Sequence, residues 1–197
     1  MSKIYFNKPK IVFIITSVYM LKFFLIPHIK ILSKFFEITL LLKNDAPNIL
    51  ETINLPIEII EIPIERKISI IKDIKALFLI YKICKKFKFD CVHTLTPKAG
   101  LLGMVAAFIS GVPRRLHTFQ GEVWSNKTGI IRYFFKTLDR LMVLCSTHLL
   151  VVSESEKQFL KKERVLLNKE ATVLGSGSIS GVDLNKFKTN QKFRRVL

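Results

Sequence analysis

Residues 91–119 read CVHTLTPKAGLLGMVAAFISGVPRRLHTF, and their order decides the fold. Cys91 to Thr94 form a short β-branched run suited to a strand. Thr96 and Pro97 then mark a helix start: threonine can cap, and proline at the first helical position has no amide hydrogen to lose. A helix is predicted over 101–109, and Gly111-Val112-Pro113 turns the chain into a second strand at 115–118. The unit is strand, helix, strand, which is the building block of a parallel sheet.

The same alternation extends in both directions. Further strands are predicted at 11–16, 37–42, 58–62, 149–152 and 172–174, and further helices at 70–86, 130–144 and 154–162. In the 70–86 helix, Ile74, Leu77, Phe78, Tyr81 and Cys84 fall on one face, while Lys75, Lys82 and Lys86 share the other. Pro27 can open another helix through His28, Ile31 and Leu32, and a longer helix would kink there. The expected class is α/β, a Rossmann-like parallel sheet with helices on both faces.

Composition supports a folded domain. The chain has 197 residues, 49% hydrophobic and 24% charged, enough to bury a full core, which excludes disorder. Lys and Arg total 32 against 15 Asp and Glu, a net charge of +17, favouring an anionic partner such as a lipid surface, a pyrophosphate or nucleic acid. Lysine outnumbers arginine 24 to 8, so part of the excess also fits a biased genome composition. Cys84, Cys91 and Cys145 have no close-spaced pair and read as reduced thiols, which suggests the cytoplasm. The runs without formal charge at 99–113 and 141–153 are shorter than the roughly 20 apolar residues of a spanning helix. Lys3, Lys8 and Lys10 before Ile11 imitate a secretory signal, but Lys22 follows without a small-residue cleavage site, and a buried strand explains the run better.

In open parallel sheets ligands bind beyond the carboxyl ends of the strands. After 91–94, Thr96, Lys98 and Gly100 could form an anion site at a helix start, or an ordinary capped helix with a surface lysine. After 115–118 come His117, Gly121 and Glu122. His117 could donate a hydrogen bond to a sugar or phosphate, act as an acid or base, or be structural. Glu122 is either a base or a solvated loop residue, and Trp124 either a sugar-stacking ring or a partly buried one. No hydrolase triad is supported, since Ser153-Glu154-Ser155 lacks the glycine elbow. His28, His93, His117 and His148 lack metal-ligand spacing with the cysteines, so no metal is expected. The run from Gly175 to Asp183 keeps backbone amides accessible but matches neither the dinucleotide fingerprint nor the P-loop.

Four motifs in order, TPKAGLLG at 96–103, GVPRRLHTFQGEVW at 111–124, LLVVSESEKQFL at 149–160 and GSGSISGVDLNKF at 175–187, resemble the amino-terminal domain of retaining glycosyltransferases of the GT-B fold. The resemblance is to the family 4 group that builds lipid-linked oligosaccharides, capsule and O-antigen, and covers 11–187. It implies a cleft between two Rossmann-like halves, the amino-terminal one receiving the acceptor. It also implies that His117 contacts the donor sugar and stabilises an oxocarbenium-like transition state. Neither cofactor nor divalent metal is implied. Many relatives carry a glycine-rich loop after the first strand that approaches the donor diphosphate. Thr16-Ser17-Val18-Tyr19 stands there instead, which argues against a close backbone cradle, and Thr16 and Ser17 are the substrate-side candidates at that position.

The chain ends at Leu197, ten residues after Phe187. The resemblance therefore assigns 1–187 to the acceptor-side domain and reads 188–197 as the start of an interdomain linker or a truncated end. The donor-binding domain, with its paired glutamates, falls outside the sequence. The chain then reads as a fragment, a truncated gene product or half of a split enzyme. The expected function is transfer from a nucleotide-sugar donor to an undecaprenyl-diphosphate-linked glycan, by a cytoplasmic protein peripheral on an anionic inner membrane. The alternative is a non-catalytic half-domain that holds the acceptor or the membrane. Nucleic-acid binding is disfavoured, because the aromatics are not interleaved with arginine on a recognisable module. His117 and Lys98 are expected to face one cleft.

Overall fold

A computed structural model describes residues 8–181. Lys3 and the predicted features at 182–197 lie outside the described residues. The seven strands are β1 (Lys10–Ile14), β2 (Glu37–Leu42), β3 (Glu58–Glu61), β4 (Cys91–Thr94), β5 (Arg114–Phe119), β6 (His148–Val151) and β7 (Ala171–Val173). They form one parallel sheet in the order β3-β2-β1-β4-β5-β6-β7, the doubly wound arrangement whose direction reverses between β1 and β4. The predicted strands all exist, β2 and β4 with the predicted bounds and the others with ends displaced by one or two residues. Thr16, predicted as the end of β1, already lies in the loop beyond it.

Side-chain alternation along β1 divides the core. Val12 and Ile14 enter a cluster with Ala76, Ile80, Met104 and Met142, whereas Phe13 and Ile15 enter the opposite cluster with Leu21, Leu25 and Ile29. Helices α4 (Ile70–Phe87), α5 (Pro97–Ser110), α6 (Gly129–Cys145) and α7 (Glu154–Lys162) supply the first cluster. The second is covered by α1 (Val18–Met20), a π-helical turn (Leu21–Leu25), α2 (Ile26–Leu32) and α3 (Pro47–Glu51). Both faces are thus sealed by helices.

The helix expected to open at Pro27 is α2, with the proline in its first turn. One helical expectation is extended and one needs correction. Helical structure already begins at Val18, capped by Ser17, and reaches α2 through the π turn, where the Ile26 amide bonds the Leu21 carbonyl. Widening the helix accommodates a ring that has no amide hydrogen and crowds the preceding turn. In α4 the buried positions are Ala76, Ile80, Ile83 and Cys84, while Ile74 and Phe78, assigned to the inner face, are exposed.

Candidate functional site

The loops after β1, β4 and β5 converge at the carboxyl end of the sheet. Parallel pairing places Ile14 beside Thr94 and Thr94 beside His117. His117 is only 2% exposed, and its Nδ1 lies 2.7 Å from Thr94 Oγ1. Its ring meets Phe119 edge-on at 4.8 Å and packs over Gly100, where a Cβ would lie 2.6 Å from His117 Cε1. Gly100 therefore admits the imidazole; its role is close approach. Burial, reinforced by His93, lowers the His117 pKa to about 3, so the ring is neutral at physiological pH.

Two hollows open at this edge. A small one of about 10 Å³ is bordered by His117, Gln120, Gly121, Asp139 and Met142. A large one of about 800 Å³ lies between the α1 and π-turn segment, the loop before α4, the start of α5, and α6. Pro97 and Asp139 border both. Lys98 lines the large hollow and His117 the small one, so the two residues share an edge without facing one cavity.

Lys98 is not an unpaired cation. Its Nζ lies 2.8 and 3.0 Å from the two Asp73 carboxylate oxygens and also donates to the Lys67 carbonyl. The lysine thereby ties α5 to α4 and to the loop before it. Thr96 occupies the N-cap position in extended conformation, but its hydroxyl makes no capping bond, and Oγ1 is buried without a partner. Ser17 is also redirected: it is fully buried, donates to Asp45 Oδ2 at 2.7 Å and accepts from the Tyr19 amide, while Asp45 Oδ1 accepts from Val18. These bonds secure the start of α1. Thr16 does line the large hollow.

Gly121 has φ +92°, a left-handed conformation suited to glycine, and its amide donates to Glu156 Oε1 at 2.6 Å. Glu156 also accepts from Val152, and its own amide bonds Ser153 Oγ, so the start of α7 clamps the loop after β5. Glu122 is half-buried rather than solvated, and its Oε1 lacks a partner. Burial, then the charges of Glu156 and Asp139, raise its pKa to about 7. Trp124 is a core ring: it is fully buried, donates from Nε1 to Asp139 Oδ2 at 2.6 Å and stacks on Phe159 at 5.4 Å. That excludes an open sugar-stacking platform. Gly177 brings the glycine-rich run back to the end of β6, where the Ser178 amide donates to the Val152 carbonyl at 2.6 Å.

Asp139 was not singled out by the motifs. Burial raises its pKa to about 6, opposed by the Trp124 N–H. The available signal was a carboxylate four residues after Phe135 and three before Met142, on the inward face of α6.

The family described as Glycosyl transferase 4-like matches residues 10–152. The chain belongs to that family. This glycosyl transferase 4-like chain is 37% identical over 123 residues to the UDP-Gal:alpha-D-GlcNAc-diphosphoundecaprenol alpha-1,3-galactosyltransferase of Escherichia coli, an overlap of 62% of this chain and 31% of that protein. It is 31% identical over 141 residues to the capsular polysaccharide biosynthesis glycosyltransferase CapM of Staphylococcus aureus, covering 69% and 37% respectively. The chain spans about a third of the length of these curated relatives. In fold it resembles the UDP-N-acetylglucosamine 2-epimerase of Rickettsia bellii, with TM-score 0.66 and 15% identity over 97% of this chain and 52% of that one. The Rossmann-like sheet thus has the fold of one half of a GT-B architecture.

Proposed function

We propose that this glycosyl transferase 4-like chain is the amino-terminal, acceptor-side half of a retaining glycosyltransferase, with residues 1–187 as the domain and 188–197 beginning the connection to a donor-binding half. The reaction moves a sugar from a nucleotide-sugar donor to an undecaprenyl-diphosphate-linked glycan at the cytoplasmic face of the membrane. The observation that carries this reading is the family match over residues 10–152, which include the site edge, together with the relationship to the Escherichia coli galactosyltransferase. The neutral, preoriented His117 supports it, because a buried imidazole held by Thr94 can hydrogen-bond a sugar without reorganisation as charge develops. The acceptor hydroxyl forms the new bond to the anomeric carbon, the bond to the nucleoside diphosphate breaks, and the hydroxyl proton passes to a leaving phosphate oxygen. No protein nucleophile is required.

The test combines the chain with the donor-binding half of a close relative and measures sugar transfer to a lipid-diphosphate acceptor. His117→Ala should lower turnover roughly 10- to 1,000-fold, the scale of losing a hydrogen bond aimed at developing charge. Unchanged turnover would make His117 a structural residue.

A further inference from the structure

The large hollow is mainly apolar, but its chemistry is graded. One wall is Met20, Phe23 and Phe24 from the π-turn region, and the facing wall is Phe134, Phe135 and Leu138 from α6. Phe23 and Phe134 are 60% and 54% exposed, so these walls are open rather than closed into the core. Arg66 and Lys67 stand exposed on the bordering loop, and neither side-chain cation has a hydrogen-bond or ion-pair partner among the described residues. Lys98 holds that loop by the Lys67 carbonyl and by Asp73, which anchors the backbone that carries the two cations at the hollow's edge. Toward the His117 pocket the lining becomes polar, with the unpartnered Thr96 hydroxyl and Asp139.

An apolar body, an unpaired cationic edge and a polar end match one kind of molecule: a lipid chain joined through a compact polyanion to a sugar. We infer that the hollow binds the isoprenoid diphosphate portion of the acceptor, with the first isoprene units between Phe23 and Phe134 and the diphosphate beneath Arg66 and Lys67. This deepens the reading of a lipid-linked acceptor and rests on it. A volume of about 800 Å³ suits a single chain segment, and the concave form distinguishes it from a surface that meets a bilayer.

Farnesyl diphosphate serves as the probe, with farnesol and inorganic diphosphate as its two halves, and binding to the full chain is followed by calorimetry without donor or membrane. Farnesyl diphosphate should bind at least tenfold more tightly than either half. Arg66→Ala with Lys67→Ala should weaken it at least tenfold while leaving farnesol unchanged. Phe23→Ala with Phe134→Ala should weaken both farnesyl ligands; all four side chains are exposed, so these variants are expected to fold. Equal affinity for inorganic diphosphate would remove the chain from the hollow, and insensitivity to Arg66 and Lys67 would remove the headgroup. Binding that occurs only with vesicles would show that the surface contacts bilayer instead. His117-dependent transfer by a chain that fails to bind farnesyl diphosphate would overturn this inference and leave the proposed function standing; binding without transfer would do the reverse.

Discussion

The role proposed for His117 sets two requirements against each other. A site that stabilises positive charge at a sugar should not itself carry a cation, yet histidine ordinarily titrates near neutrality. Burial resolves this by lowering the pKa of His117, and that of the neighbouring His93, to about 3 from 6.5. In the unfolded chain the rings take up protons below about 6.5, whereas the folded chain resists until about 3. Their contribution to stability is therefore complete above pH 6.5 and is lost as pH falls toward 3. Glu122 and Asp139 act in the opposite direction, since raised carboxyl pKa values make stability fall as pH climbs from about 4 to about 7. Proton NMR of the imidazoles should show no titration of His117 or His93 between pH 5 and 8; a midpoint near 6.5 for His117 would place it in solvent. The position of His117 was legible from a strand run followed by polar residues and a glycine. The pairings of Lys98 and Ser17 were not, because their carboxylate partners lie 25 and 28 residues away and meet them only once the sheet has assembled.

Elements were legible to the extent that one hydrophobic pattern specified them. β2, β4 and α7 have the predicted bounds, since each is a single short run between turn or capping residues. α4 has apolar residues around more than half its circumference, so spacing alone could not decide between the stripe through Ile74 and Phe78 and that through Ala76, Ile80 and Ile83. Packing decides: the small Ala76 faces inward in a helix that lies against α5. The first helix depends on similar tertiary detail. Its start is held from the loop after β2, where Asp45 accepts from the Ser17 hydroxyl at 2.7 Å and from the Val18 amide at 2.8 Å. Asp45→Ala should cost about 1.5–3 kcal/mol, the range for hydrogen bonds to a charged group, and should loosen the wall carrying Met20, Phe23 and Phe24. Urea unfolding checks the stability, and faster proteolysis within 18–25 checks the location. An unchanged midpoint would mean that the helix start is held by packing alone.

The molecule as a whole is strongly basic and also exposes large apolar side chains. Net charge is +17, and among the described residues no helix is long and apolar enough to cross a membrane. α4 nevertheless exposes Ile70, Ile71, Ile74 and Phe78 on the same helix as Lys75, Lys82, Lys85 and Lys86. Lys82 lies over the Phe78 ring at 4.5 Å, so the aliphatic stem covers apolar surface while the ammonium remains at its edge. Such a face suits the boundary between headgroups and acyl chains, where each well-placed lysine contributes about 1 kcal/mol on an anionic surface. Under the proposed function, docking through this face would bring a membrane-bound acceptor close and raise its effective concentration at the sheet edge. The chain should therefore cosediment with vesicles containing anionic lipid at low salt. Binding should weaken as salt rises, because the field is screened to about 8 Å at physiological ionic strength. Replacing Lys75, Lys82, Lys85 and Lys86 with glutamine should remove most of that binding, while Ile74→Ser with Phe78→Ser should preferentially remove the part that persists at high salt. Equal binding to neutral and anionic vesicles would contradict the electrostatic account, and full binding by both variants would move the contact off α4 altogether.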